Sequence, residues 1–127
     1  MRLALMVLLA LLGGCQTHPD VAPPLRVMSF NIRYDNPGDG PNRWAQRRTS
    51  VVDVIQSFDP DVLGLQECLP HQAAFLREHL VEYAFVGVGR DDGATTGEMT
   101  AVLFRQARFE LLDSGHFWLS ESPAVPG

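Results

Sequence analysis

Two polar side chains close short apolar runs in positions suited to holding a cation. Asn31 ends the apolar stretch within residues 25–35, LRVMSFNIRYD, and Glu67 ends residues 59–67, DPDVLGLQE. An amide oxygen and a carboxylate are hard donors of the kind that bind Mg²⁺, an ion that keeps several waters and so needs few protein ligands. Brought to one edge of a sheet, the pair would hold such an ion on one side of a site for phosphodiester hydrolysis. A second carboxylate, Glu98, opens the apolar run EMTAVLFR at residues 98–105. The histidines form no comparable set. His71 and His79 lie eight residues apart on one expected helix, more than two turns, and cannot share an ion. His18 sits in a proline-rich stretch, and His116 falls in SGHF of an expected hairpin, where it reads as structural. Asp35, Asn36 and Asp39 lack the Asp-x-Asp-x-Asp-Gly order of a calcium loop, so turn formation is the better account of them.

The elements that must position Asn31 and Glu67 follow from the pattern around them. Residues 25–31 alternate as a strand, and residues 34–42, YDNPGDGPN, read as a loop of several turns. Residues 43–58 place Trp44, Val51, Val52, Ile55 and Phe58 on one face of an amphipathic helix, with Asn42 as its expected cap. Arg43, Arg47 and Arg48 fall on its other face, as a phosphate-facing patch or, more simply, a solvated surface. Asp59 precedes Pro60 and ends that helix, because a residue before proline is pushed out of the α region. Residues 61–66 are then a second strand. Strand, helix, strand in this order implies a parallel pair, so Asn31 and Glu67 should emerge at the same edge. Residues 70–80 read as a second helix with Pro70 in its first turn, 83–89 as a third strand and 90–97 as a small-residue loop. Residues 98–105 and 109–119 are expected to pair as an antiparallel hairpin.

Residues 1–14, MRLALMVLLALLGG, put one positive charge before an apolar run too short for the ~20 residues that span a bilayer, the form of a signal peptide. Leu12-Gly13-Gly14-Cys15 resembles a bacterial lipobox, which implies lipidation of Cys15 and a membrane-tethered address in the cell envelope. Gln16 after the cysteine fits onward sorting to the outer membrane, facing the periplasm or exterior. Residues 15–24 would then be a proline-rich tether, leaving residues 25–127 as one domain. With Cys15 lipidated, Cys68 has no partner, and its expected role is packing. The chain has 127 residues, 46% of them hydrophobic, and a net charge of −5; all ten basic residues are arginine. That balance excludes a non-specific nucleic-acid coat, since such binding rests on excess positive charge.

Taken together, SFNIR at 29–33, DPDVLGLQE at 59–67, Tyr83 with Gly87, Gly97-Glu98 and the strand ending Phe104-Arg105 resemble the N-terminal half of the endonuclease/exonuclease/phosphatase superfamily. The segment FWLSESP at 117–123 looks like a bacterial branch of it. The resemblance implies an α/β fold, half of a four-layer sandwich of mixed sheets with outer helices. It implies a phosphoesterase or phosphodiesterase using Mg²⁺ (or Mn²⁺), with Glu67 as principal metal ligand and Asn31 as ligand or near-ligand. Its substrate would be a nucleic acid, a phospholipid head group or a sugar or inositol phosphate, and no protein partner is implied. Glu98 would match the carboxylate that orients a catalytic histidine lying outside this sequence. Read without the resemblance, Glu98 is a carboxylate guarding a strand edge. The family's later Gly-Asp-x-Asn and Asp-His motifs do not occur among these 127 residues. The expectation is therefore a partial domain, inactive alone; the alternative is a binding or structural lipoprotein that keeps the fold without chemistry.

Overall fold

The computed structural model describes residues 23–126. The signal peptide, Cys15 and most of the tether lie outside the described residues. In chain order the elements are β1 (Val27–Asn31), a short 3-10 helix (Pro37–Asn42), α1 (Trp44–Phe58), β2 (Val62–Cys68), α2 (Pro70–His79), β3 (Tyr83–Val86) and β4 (Met99–Arg105). The four strands form one mixed sheet in the order β1-β2-β4-β3. β1 runs parallel to β2, with Val27 opposite Val62 and Asn31 opposite Gln66, while β4 is antiparallel to both β2 and β3.

Alternation along each strand sorts the sheet into two faces. Leu63, Leu65, Ala101 and Leu103 are fully or almost fully buried, and Met28, Phe30 and Phe85 pack beside them. Over them lie Trp44, Val51, Val52 and Ile55 of α1 and Ala73 and Leu76 of α2. This single apolar layer is the main source of stability in the described residues. The opposite face carries Val27 and Val102, both about half exposed. Among the described residues, no helix is long and apolar enough to cross a membrane.

Buried polar groups tie the end of the sheet remote from Asn31. Asp61 Oδ2 accepts from the Arg26 N–H at 2.8 Å and pairs with Arg108 Nη1 at 2.6 Å. The Tyr83 hydroxyl donates to the Pro60 carbonyl at 2.6 Å. These contacts hold the β1 entry, the β2 entry and the β3–β4 edge together.

Three expectations need correction. Asn42 does not cap α1: it ends the 3-10 helix, which Asn36 caps through a bond from the Gly38 N–H. The residue before α1 is Arg43, with no side-chain cap. Second, residues 109–119 are not a strand. Both edges of β4 are already taken, one by β2 and the other by β3, so no ladder is left for a hairpin partner. Third, β4 is for the same reason not an edge strand, which removes the edge-guarding account of Glu98. The helix ends at Asp59 as expected, but Asp59 is a left-handed cap at φ 54°, its N–H bonding the Ile55 carbonyl, and not the extended conformation that the following proline favours.

Candidate active site at the parallel strand ends

Glu67 reaches the site through an irregularity in β2. The antiparallel pairing runs from Leu65 opposite Ala101 to Cys68 opposite Met99, so Gln66 and Glu67 together face only Thr100. This two-against-one count is a β-bulge. Strict alternation would send residue 67 into the buried face after Leu63 and Leu65. Instead Glu67 takes a left-handed conformation at φ 57°, Cys68 fills the buried place, and the carboxylate is released to the rim.

There it meets the end of β1. Asn31 Nδ2 donates to Glu67 Oε1 at 2.9 Å, and the Tyr34 N–H donates to Oε2 at 3.2 Å. The same asparagine accepts at Oδ1 from the Arg33 N–H at 2.9 Å. Arg33 is itself left-handed at φ 58°, which folds the chain back so that Tyr34 can reach Glu67. Hydrogen bonds from Asn31 first, and then from the Tyr34 N–H, hold the Glu67 carboxyl below the usual carboxylate range, so it is anionic at neutral pH. The strand-end inference from sequence therefore holds: the two residues are in direct contact.

The donor set suits a hard divalent cation. Glu67 has lone pairs beyond its two hydrogen bonds, and Asn31 Oδ1 keeps one beyond its bond to Arg33. Among the described residues no group of three or more His, Cys, Asp or Glu gathers to hold a metal. A carboxylate with one amide oxygen suits a hard ion such as Mg²⁺, which takes few protein ligands. Cys68 is excluded as a soft donor: burial pushes its thiol up to about 12.

Glu98 comes to the same end of the sheet, because β4 begins where β2 finishes. Glu67 and Glu98 line one cleft of about 580 Å³ together with Arg90, Thr100, His116 and Trp118. Glu98 pairs with Arg90 Nη1 at 3.4 Å, and the Trp118 indole N–H donates to the Arg90 carbonyl at 2.7 Å. From the sequence, Arg90 and Trp118 have no place in the site and His116 reads as structural in a hairpin; all three line the cleft. Residues 109–119 carry no periodic signal that distinguishes a strand in a sheet from an extended segment laid along a cleft.

Of the arginines at the start of α1, Arg48 is exposed as a solvated face requires, while Arg43, just before the helix, and Arg47 are engaged. Arg47 is neither a phosphate patch nor a solvated side chain: its guanidinium donates to the carbonyls of Ile32 and Arg33, and its Nε donates to Asn42 O at 3.0 Å. Arg43 pairs with Asp35 at 3.4 Å, and Arg48 lies over the Phe75 ring. Asp39 is more than a turn former, taking two bonds from Arg33 at 3.0 and 3.1 Å. His71 is exposed, as read from the sequence, with its Nε2 3.3 Å from Asp35 Oδ2.

Comparison with known proteins bears on the same segment. The model of the endonuclease/exonuclease/phosphatase family matches residues 28–118. A solved endonuclease/exonuclease/phosphatase from Bacteroides vulgatus is 46% identical with a TM-score of 0.78, covering 81% of this chain and 40% of that one. A mannosyl-6-phosphatase from Bacteroides thetaiotaomicron is 40% identical with a TM-score of 0.78, covering 82% and 40%. Among curated relatives, human nocturnin is 26% identical over 124 residues, 80% of this chain and 28% of that protein. Zebrafish tyrosyl-DNA phosphodiesterase 2 is 33% identical over 70 residues, 55% and 18% respectively. The chain thus spans less than a third of the curated relatives it matches and about two fifths of these solved ones.

Proposed function

Since the chain belongs to the endonuclease/exonuclease/phosphatase family, we propose that it forms the metal-holding half of a divalent-cation-dependent phosphoester hydrolase, with a phosphorylated sugar as its substrate class. The observation that carries this reading is the Asn31–Glu67 contact at two parallel strand ends, braced by the Tyr34 N–H. Glu67 is the principal ligand, and Asn31 adds the spare lone pair of its Oδ1 while fixing the carboxylate's orientation. Mg²⁺ (or Mn²⁺) held by these residues would supply Lewis-acid chemistry toward a phosphoryl group. The chain's own residues keep Glu67 ionised and pointing outward, and Glu98 stands across the cleft to orient a histidine contributed from outside residues 1–127. A water-activating base would come from the same quarter, and the exposed face of the sheet would be covered there. Support for this partial-domain reading is the share of the solved relatives that the chain covers.

The choice of sugar phosphate over nucleic acid is supported by the net charge of −5, which leaves no excess of positive charge to hold a polyanionic backbone, and by the mannosyl-6-phosphatase among the similar structures. The apolar run and Cys15 in residues 1–15 support export and lipid anchoring in a bacterial envelope. The test is the complete gene product assayed on hexose phosphates, single-stranded DNA and a phospholipid head-group ester, with Mg²⁺, with Mn²⁺ and with a chelator. Metal-dependent release of phosphate from the hexose phosphates alone is the expected result; turnover that survives chelation sinks the proposal. Palmitate labelling that disappears in Cys15→Ala checks the anchor.

A further inference from the structure

Gln72 is fully buried, a polar side chain on a helix whose other buried residues, Ala73 and Leu76, are apolar. Burying an amide is unfavourable unless both of its ends find partners, and here both do. Its Oε1 accepts from the Leu69 N–H at 3.0 Å, closing the first turn of α2 two residues after Glu67. Its Nε2 donates at 2.9 Å to the carbonyl of Arg33, thirty-nine residues away in sequence. That carbonyl belongs to the left-handed residue whose N–H holds Asn31 Oδ1. From the other side the Arg47 guanidinium donates to the same carbonyl and to that of Ile32.

Residues 31–34 therefore form a hook around the Glu67 carboxylate, gripping Oε1 through Asn31 and Oε2 through Tyr34. Nothing in the hook's own sequence favours two consecutive carbonyls turned inward behind a left-handed arginine. The bonds that satisfy them come from α1 and α2. We propose that Gln72, with Arg47 in support, is a positioning residue: by bonding the Arg33 carbonyl it fixes the 31–34 hook and so presets Glu67 for a divalent cation. Gln72 touches neither the ion nor the substrate. It ties the exit of β1 to the start of α2, so the two chain ends that carry Asn31 and Glu67 cannot drift apart independently. This inference rests on the metal reading of Glu67.

The test uses the complete protein and Mn²⁺ alone as the probe, followed by calorimetry, with kcat, KM and thermal unfolding recorded in parallel. Gln72→Met keeps the volume and removes both hydrogen bonds. It should weaken Mn²⁺ binding about 10- to 100-fold, the usual effect of losing a group that orients a metal ligand, and lower kcat while leaving KM for substrate little changed. Gln72→Glu keeps the acceptor for Leu69 but loses the amide donor to Arg33, so it should weaken Mn²⁺ nearly as much as Gln72→Met does. A purely structural glutamine would instead lower the unfolding temperature in Gln72→Met and leave Mn²⁺ affinity alone. If Gln72→Met does not fold, the half-buried Arg47→Lys, which retains charge but not the forked pair of donors, should weaken Mn²⁺ in the same direction. A folded Gln72→Met or Arg47→Lys protein that binds Mn²⁺ within about twofold of wild type, while Glu67→Gln loses it, overturns the positioning role alone. Wild-type protein that binds no Mn²⁺ overturns the metal reading beneath it.

Discussion

The rim at the end of β1 and β2 and the segment 109–119 are built from similar material, short apolar runs punctuated by polar residues, yet they end differently. At the rim, Asn31, Arg33, Tyr34 and Glu67 are cross-bonded within 3.2 Å, and the carbonyls behind them are held from two helices. In 109–119, Leu112 is 90% exposed and Leu119 96% exposed, and the segment joins no strand. Apolar alternation is a property of the chain; a strand is a property of the chain and a free neighbouring edge. β2 had such edges on both sides, whereas the approach to β4 was already closed by β2 and β3. The contrast also separates two kinds of site residue. Glu67 is held in one orientation before any ligand arrives, while His116 lines the cleft wall and Trp118 is tied there through its indole N–H to the Arg90 carbonyl.

The sharpest way to break this contrast is Glu67→Gln in the complete protein. It should lower metal-dependent turnover by about a thousandfold, roughly 4 kcal/mol of transition-state stabilisation, in a phosphate-release assay. His116→Ala should cost far less in the same assay; equal losses would erase the distinction between rim and wall. Next in size is Leu65→Ala, which opens a cavity under α1 and α2 and should destabilise the fold by about 2–5 kcal/mol in urea titration. Leu112→Ser, at a position almost fully exposed, should shift stability by no more than about 0.5 kcal/mol. A larger loss there would mean that another part of the protein covers the segment.

The smallest effect is electrostatic and tests whether order can exist in the β3–β4 loop without a buried core. Asp92 accepts from the Ala94 and Thr96 N–H groups and from the Thr96 hydroxyl, and bonds to Thr96 and Ala94 hold its carboxyl at about 2, below the ordinary 3.8. Because the folded value is depressed, its contribution is complete above about 3.8 and is lost as pH falls toward about 2. A carboxyl resonance titrating near 2 in wild type is the expected reading. The companion Asp92→Asn variant should loosen residues 90–97 at neutral pH, with faster amide exchange of Thr96. An Asp92 titration near 3.8 would show that the loop is not ordered in this way.

Much of the fold was legible because its signals are local. The period of residues 43–58, Pro70 at a helix start and Asp59-Pro60 at a helix end each act through backbone sterics or one amphipathic face, so the strand-helix-strand order and the parallel pairing follow from the chain alone. From that pairing the meeting of Asn31 with Glu67 could be anticipated, and the residues of the family resemblance could be named. The bulge that turns Glu67 outward could not, since it exists only in the mismatch between β2 and β4. The bonds from Gln72 and Arg47 to the Arg33 carbonyl, and the fate of residues 109–119, were equally invisible. Each depends on what a distant segment offers at one point in space: a hydrogen-bond donor, or an edge that is still open. The types and order of the chemical groups were set by the sequence; the orientation of the carboxylate on which the chemistry depends was decided by packing.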